Sequence, residues 1–201
     1  MIRLDGKDAS QRSGLSGPIA VLALAILASC GTESAPPPQT QTATGNTGAA
    51  ASSTTTADGT SIVMGGVSEI DSVLMGQRGR WVLVNVWATW CRPCVAETPD
   101  LVALHQSLQG KQFTLLGISA DFMTSPTPDE ALRKVRAFNT QYRVPYANVI
   151  FSGSTDDLTA RFSLTGAIPA SILYDPQGKE VERWVGRLVE EDFARIRTKI
   201  S

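Results

Sequence analysis

The stretch that decides the fold reads Trp-Ala-Thr-Trp-Cys-Arg-Pro-Cys and occupies residues 87–94. An apolar segment, residues 81–86, comes directly before it and is interrupted only by Asn85, and a helical pattern follows from Val95. A Cys-x-x-Cys pair therefore lies where a buried strand is followed by a helix. Free backbone N–H groups and the positive end of the helix dipole stabilise a thiolate at such a position.

The two cysteines are spaced for disulfide chemistry. Two intervening residues in a helical turn bring the Cβ atoms close enough for the sulfurs to bond. We expect Cys91 to be the exposed attacking thiol and Cys94, about one turn deeper, to be the resolving thiol. Arg92 supplies a neighbouring cation, and Pro93 suits a first helical turn because it has no N–H to satisfy there.

Other interpretations of the pair are a structural disulfide, half of a zinc site and two packed thiols. A structural disulfide more often joins distant loops than closes so short a ring. Zinc has little support, because the chain has only three cysteines and one histidine, and one of these cysteines has another expected role, described below. Redox chemistry is the favoured interpretation of a Cys-x-x-Cys pair beside a strand–helix pattern.

The longer sequence VNVWATWCRPCVAETPDL, residues 84–101, resembles the active-site stretch of thioredoxin-fold proteins. More narrowly, it resembles the membrane-anchored thiol-disulfide oxidoreductases of the TlpA/ResA type, which are related to the thioredoxins of cytochrome c maturation. The resemblance extends from about Gly66 to the C-terminus. It implies an α/β, thioredoxin-like fold with a mixed central sheet flanked by helices.

The resemblance also implies roles for residues outside the dithiol. Ile168–Pro169 matches the cis peptide bond that faces the dithiol in thioredoxin folds, where the backbone before the proline pairs with an extended substrate segment. Glu97 matches a glutamate that looks like an active-site residue in ResA-type proteins. Helical spacing places Glu97 on roughly the same side as Cys94, so it is either a partly buried carboxylate that shuttles the proton of Cys94 or a surface acid in the first turn of the helix.

Residues 1–29 are expected to be a lipoprotein signal peptide. Three basic residues lie within the first twelve positions, and the apolar segment at residues 15–28 is too short for a membrane span of about 20 residues. The segment ends in Leu-Ala-Ser-Cys, which resembles a bacterial lipobox and implies that Cys30 carries a diacylglyceryl group. The alternatives are an ordinary signal peptide with a coincidental cysteine and an uncleaved anchor.

The rest of the chain divides into a tether and a domain. Residues 30–60 are rich in Thr, Ser, Ala, Gly and Pro and lack hydrophobic periodicity, which predicts a disordered linker. Residues 61–201 are expected to form the thioredoxin-like domain. Residues 67–74 are ambiguous between helix and strand. Patterning predicts strands at 81–88, 113–119, 146–151, 171–174 and 180–185, and helices at 93–108, 128–142, 156–162 and 190–200.

Composition and single residues exclude several functions. The formal net charge is −1 and no basic block is present, which argues against nucleic acid as a partner. His105, the only histidine, is expected at the surface or boundary of its helix, so no metal or other cofactor is expected. Peroxiredoxins carry a Pro-x-x-x-Thr-x-x-Cys pattern, but Ala88 stands where the threonine would be. Trp90, beside the first cysteine, is expected to contact partner proteins.

These observations predict an enzyme, a lipid-anchored protein thiol-disulfide oxidoreductase of the cell envelope that faces the periplasm or another extracytoplasmic space. Cys91 would attack a partner protein's disulfide and Cys94 would resolve the mixed disulfide. We expect a reductant whose dithiol is regenerated by a membrane electron donor, and the family resemblance implies envelope proteins such as an apocytochrome c as its partners. The alternatives are a disulfide-forming oxidant of the same fold and a copper-binding chaperone that uses the two thiols as soft ligands.

Overall fold

A computed structural model describes residues Ser53–Thr55 and 61–201. Within these residues the chain forms one mixed sheet and five α-helices. The strands are β1 (Ser53–Thr55), β2 (Ser61–Gly65), β3 (Trp81–Trp87), β4 (Phe113–Ser119), β5 (Ala147–Phe151), β6 (Ala170–Tyr174) and β7 (Glu180–Val185). The helices are α1 (Val67–Met75), α2 (Arg92–Ser107), α3 (Pro128–Tyr142), α4 (Thr155–Phe162) and α5 (Glu190–Ile200), and a short 3-10 helix covers Asp121–Thr124.

The seven strands lie in the order β1-β2-β5-β4-β3-β6-β7. Strands β2, β5, β4 and β3 are parallel to one another, whereas β1, β6 and β7 each run antiparallel to their neighbours. Strand β3 is paired on both sides, and its Asn85 lies opposite Gly117 of β4 and Ser171 of β6. This pairing agrees with the almost continuous apolar run, which predicts a strand buried on both faces.

The side chains of β3 alternate between two hydrophobic cores, as the period of two in a strand requires. Leu83 and Trp87 belong to the core that also contains buried residues of α2, α3 and α5. Val82, Val84 and Val86 belong to the opposite core, beneath α1 and α4. Burial of each such side chain contributes about 1.5–3 kcal/mol, so the strand that leads to the dithiol is fixed from both faces of the sheet.

The predicted mixed sheet flanked by helices is confirmed. Strands β4 and β7 and helices α3 and α5 have the predicted bounds, and residues 67–74 fall within a helix. Helix α3 begins as its sequence predicts, because the Thr127 side chain accepts a hydrogen bond from the backbone N–H of Glu130 at 3.2 Å. Pro99 lies inside α2.

One boundary prediction was wrong. Residues Ser53–Thr55, which were assigned to the disordered linker, form β1 and pair antiparallel with β2 from Ser53 opposite Val63 to Thr55 opposite Ser61. Two of the three residues are threonines, which favour strands, and the outer edge of β2 offers unpaired backbone groups. The predicted signal peptide, Cys30 and the rest of the predicted linker lie outside the described residues. Among the described residues, no helix combines the length and apolarity needed to cross a membrane.

We predict that Gly117→Ala destabilises the domain by about 2–4 kcal/mol, from overpacking and the loss of a buried hydrogen bond. A Cβ atom on Gly117 would overlap the Asn148 amide and lie 2.9 Å from Nε1 of Trp87, and these two groups are hydrogen-bonded at 3.0 Å. Urea unfolding of the purified disulfide form measures the change. Gly76→Ala is the control, because its Cβ would meet atoms no closer than 3.4 Å; equal stability of the two variants would contradict the prediction.

Candidate active site

The dithiol lies where the sequence predicts it, between the end of β3 and the start of α2. Cys91 is the N-cap residue of α2, and Cys94 lies in its first turn. The two sulfurs form a disulfide, with the Cα atoms 5.2 Å apart. The backbone N–H of Cys94 points at the Cys91 sulfur, 3.3 Å from nitrogen to sulfur. The backbone of α2 therefore places a hydrogen-bond donor where a Cys91 thiolate would carry its charge.

The expectation that Cys91 is exposed was wrong. Only 5% of its surface is accessible, against 2% for Cys94, so Cys91 is the more accessible of two buried residues. The Cys91 sulfur lies 3.6 Å from the backbone oxygen of Ile168, which places the segment before β6 against the disulfide. The position of Cys91 at the start of a helix does not reveal its burial, because the residue that covers it, Ile168, comes from a distant part of the chain.

The Ile168–Pro169 peptide bond is cis, as the family resemblance implied. Ile168 is half-buried and Pro169 is buried. The Pro169 carbonyl accepts the N–H of Gly186 at 2.8 Å, which connects this segment to the end of β7. The Ile168 carbonyl instead faces the dithiol.

Glu97 is fully buried, with 0% of its surface accessible. Its Oε1 accepts the backbone N–H of Leu188 at 2.6 Å, and its Oε2 accepts the side-chain amide of Asn85 at 3.2 Å. The surface-acid interpretation is therefore wrong, and Glu97 is more deeply buried than the partly buried carboxylate of the other interpretation. Glu97 lies one turn after Cys94 on α2.

Burial raises the pKa of Glu97 from its ordinary value of 4.5 to about 7. The hydrogen bonds from Leu188 and Asn85 and the positive charge of Arg187 oppose this rise in pKa, whereas the charge of Asp100 adds to it. A carboxyl group with this pKa gains and loses a proton near neutral pH. It therefore matches the requirement for a group that exchanges protons with a thiol in that range.

Sequence reasoning missed the partners of Glu97. Asn85 was noted only as an interruption of an apolar strand, but its amide donates to Glu97 and, at 3.1 Å, to the hydroxyl of Ser171. A lone polar residue in a strand buried on both faces was the available signal, because such a residue needs a partner. The contact with Leu188 had no signal in the sequence, because a backbone N–H makes it.

A second buried carboxylate, Asp121, fixes the loop that precedes the dithiol. It accepts the backbone N–H of Thr89 at 3.0 Å and also the Thr89 hydroxyl. The hydroxyl of Ser119 donates to it at 2.7 Å. Asp121, in the 3-10 helix after β4, thereby anchors the residue next to Trp90.

Trp87, the last residue of β3, and Trp90, in the loop before Cys91, have different environments. Trp87 is buried, donates from Nε1 to Asn148 and packs its ring on Phe138 at 4.6 Å. Trp90 is 51% exposed, which is the placement expected of a contact residue beside Cys91. Val185, at the end of β7 and opposite Ala170, is also exposed. Apolar surface is thus present at this edge of the domain.

His105 lies at the boundary predicted for it. It is half-buried on α2, and its ring packs near Phe113 and Tyr146. Burial lowers the pKa of His105. Across the residues that the structure covers, no group of three or more His, Cys, Asp or Glu side chains is arranged to hold a metal ion.

The family model described as AhpC/TSA matches residues 65–182. The thiol-disulfide oxidoreductase ResA of Bacillus cereus is 29% identical over 124 residues, 62% of this chain and 65% of the relative. The thioredoxin-like protein YneN of Bacillus subtilis is 28% identical over 122 residues, 61% of this chain and 66% of the relative. The chain thus spans just under two thirds of the length of these curated relatives.

Two solved structures are similar to the described fold. The thiol:disulfide interchange protein of Chlorobium tepidum, a thioredoxin family protein, has a TM-score of 0.53 and 26% identity, covering 75% of this chain and 92% of that one. StoA of Bacillus subtilis has a TM-score of 0.50 and 16% identity, covering 73% of this chain and 95% of its own. The latter similarity concerns the fold alone.

We predict that Glu97 makes stability depend on pH. The folded chain holds the Glu97 proton up to about pH 7, whereas the unfolded chain releases it near 4.5. Rising pH therefore favours the unfolded chain between about pH 4.5 and about pH 7. The contribution of Glu97 to the free energy of unfolding is present below this window and lost above it. Compared with Glu97→Gln, the wild type should lose about 3 kcal/mol between about pH 4 and about pH 8.

Denaturant unfolding of the disulfide form at several pH values measures this difference. The control is Glu191→Gln, which alters an exposed glutamate in the first turn of α5 and should leave the pH dependence of the wild type in place. A Glu97→Gln variant with the same pH dependence as the wild type would show that the buried carboxyl does not retain its proton.

Proposed function

This chain belongs to the AhpC/TSA family, and on that premise we propose that it is a protein thiol-disulfide oxidoreductase whose redox group is the Cys91–Cys94 pair. The observation that carries the proposal is the position of this pair at the start of α2, with the Cys91 sulfur 3.6 Å from the Ile168 carbonyl. Ala88 lies three residues before Cys91, where the peroxiredoxin pattern has threonine, so a peroxidase activity is not part of the proposal.

The proposed reaction is a two-step exchange. The Cys91 thiolate attacks one sulfur of a partner's disulfide, the second partner sulfur leaves as a thiolate and takes a proton, and a mixed disulfide forms. Cys94 then loses its proton and attacks the Cys91 sulfur, which releases the first partner sulfur as a thiolate. This thiolate also takes a proton, so that the proton released by Cys94 and one proton from solvent together supply the two that the partner gains. The partner gains two electrons and two protons, and the Cys91–Cys94 disulfide forms.

The surroundings of the two cysteines support different roles for them. The N–H of Cys94 stabilises negative charge on Cys91, and exposed Arg92 adds a neighbouring positive charge. Glu97, one turn after Cys94, is the proposed acceptor of the Cys94 proton in the second step. Because a nearby carboxylate disfavours a thiolate, it also makes the reduced pair less stable. This favours a reductant over an oxidant.

The substrate class follows from the surface beside the dithiol. Trp90 is exposed, Ile168 is half-buried, and the Ile168 carbonyl faces Cys91. We propose that Trp90, Ile168 and Pro169 bind an extended protein segment that carries the disulfide. The Bacillus relatives named thiol-disulfide oxidoreductase ResA support this substrate class.

The proposed location is the cell envelope, with Cys30 as the lipidated residue after removal of residues 1–29. Residues 31–52 would then connect the anchor to β1, and residues 56–60 would connect β1 to β2. In this location the substrates would be envelope proteins, such as an apocytochrome c that must be reduced before haem attachment. Regeneration would require two electrons from a dithiol protein of the membrane.

We predict that Cys94→Ser accumulates a mixed disulfide through Cys91 when it is mixed with a disulfide-bonded protein, because the second step lacks its nucleophile. Cys91→Ser should lose protein-disulfide reduction by at least about a hundredfold and should trap nothing. Non-reducing gel electrophoresis and mass spectrometry identify the adduct, and the double Cys→Ser variant is the control. Trapping through Cys94 instead of Cys91 would reverse the assigned roles.

We predict that Cys30→Ser moves the full-length protein from the membrane fraction to the soluble fraction, because the lipid anchor requires the thiol. Fractionation of cells that express the full chain measures this, and metabolic labelling with a fatty acid tests lipidation directly. Cys91→Ser, which leaves Cys30 in place, should remain in the membrane. Retention of Cys30→Ser in the membrane would contradict the lipid anchor.

A further inference from the structure

A chain of buried polar groups runs from β6 to the loop after β7 and passes through Glu97. The hydroxyl of Ser171 and Oε2 of Glu97 both receive hydrogen bonds from the Asn85 amide, at 3.1 Å and 3.2 Å. Oε1 of Glu97 receives the Leu188 N–H at 2.6 Å. The three side chains are at most 3% exposed, so within the described structure water has little access to replace these contacts.

The two oxygens of Glu97 differ in what they can do. The Leu188 N–H is a backbone donor, so Oε1 remains an acceptor whether or not the carboxyl group is protonated. A proton on Glu97 is therefore carried by Oε2, which faces Asn85. The ionised Oε2 needs a donor opposite it, and the protonated Oε2 needs an acceptor.

Asn85 is the side chain that can provide both. A primary amide carries two N–H donors on one side and a carbonyl acceptor on the other, and a half-turn about its terminal bond exchanges them. Ser171 permits this exchange, because a hydroxyl accepts from the amide nitrogen in one orientation and donates to the amide oxygen in the other. Asn85 and Ser171 lie opposite each other in the β3–β6 register, which keeps this contact in place.

We propose that Asn85 is a positioning residue for Glu97, and that its amide turns over each time Glu97 takes up or releases the proton exchanged with Cys94. The exchange of this proton with Cys94 rests on the proposed oxidoreductase function. The turn keeps Oε2 of Glu97 and the hydroxyl of Ser171 hydrogen-bonded to Asn85 in both states. Asn85 thereby keeps the carboxyl group in one place while its charge changes.

Other groups around Glu97 do not replace Asn85. The phenol of Tyr146, the residue before β5, senses the carboxylate, since burial and the charge of Glu97 both raise the pKa of Tyr146. It therefore stays neutral while Glu97 titrates. Arg187 and Asp100 pair with each other at 2.9 Å and are both about half exposed, so their opposite effects on Glu97 partly cancel. On α2 itself, Cys94 is the nearest titratable group toward the N-terminus.

Nuclear magnetic resonance of the wild-type disulfide form tests the inference without any substitution. The Glu97 carboxyl carbon and the side-chain amide protons of Asn85 are followed across pH. We expect one Asn85 amide proton to leave its hydrogen bond to Glu97 with the same midpoint as the carboxyl carbon. Asn148 is the control, because its buried amide bonds to Trp87 and to the Tyr146 carbonyl and should not respond.

Two variants extend the test. Glu97→Gln should hold the Asn85 amide in the turned orientation at every pH, because the Gln amide nitrogen mimics the protonated oxygen. Asn85→Leu should move the midpoint of the Glu97 titration to a higher pH, at which the proton concentration is about fivefold lower. This factor is the difference between a charged and a neutral hydrogen bond. In Asn85→Leu, the pH profile of mixed-disulfide resolution should move by the same factor.

An Asn85 amide that donates to Glu97 at both ends of the titration would overturn the inference, and the wild-type measurement decides this even if Asn85→Leu does not fold. The disulfide form needs no exchange activity for this measurement. If Asn85 follows Glu97 but the protein does not reduce protein disulfides, the proposed function fails and the amide assignment stands. If it reduces disulfides while Asn85 is unresponsive, the assignment fails alone.

Discussion

Strand β3 is the element on which the rest of the structure depends, because it is buried on both faces and paired on both edges. Its side chains enter the core beneath α2, α3 and α5 on one face and the core beneath α1 and α4 on the other. Its C-terminal end leads directly to Cys91, the N-cap of α2. The dithiol is therefore held by the most constrained part of the domain, which is the condition for a reactive pair to keep its geometry.

The carboxylate of Glu97 connects this scaffold to the second half of the chain. It contacts Asn85 of β3 and Leu188 of the loop after β7, and the same loop holds the Pro169 carbonyl through Gly186. Burial of a carboxyl group is costly unless it is neutral or well hydrogen-bonded. Here both conditions are partly met, and the pKa near 7 follows from their balance. A group that is expensive to bury is thereby placed where its proton is useful to the proposed reaction.

Much of the fold could be predicted from the sequence because its signals are local. The apolar run of β3 and the helical pattern of residues 128–142 each depend on neighbouring residues, and the structure confirms these elements. The resemblance to thioredoxin-fold proteins supplied the cis bond before Pro169, which local physics alone would not favour. Strand β1 escaped prediction because three polar residues carry no apolar alternation.

The details of the site were harder to predict because they depend on distant contacts. The cover over Cys91 comes from Ile168, 77 positions later in the chain, and the N–H that binds Glu97 belongs to Leu188, 91 positions later. Backbone groups make both contacts, so no side-chain pattern could reveal them. Asn85 was the exception, since its polarity within a buried strand was visible and only its partner was not.

The reduction potential of the Cys91–Cys94 couple is the most direct test of the central claim. It can be measured by equilibration with glutathione or dithiothreitol, in a soluble form that begins at Asn46 so that β1 is included. We predict a reversible disulfide with a potential near or below about −270 mV, the value of thioredoxin. A value near about −120 mV would indicate a strong oxidant, and the absence of a reversible disulfide would contradict redox function and favour metal binding by the two thiols.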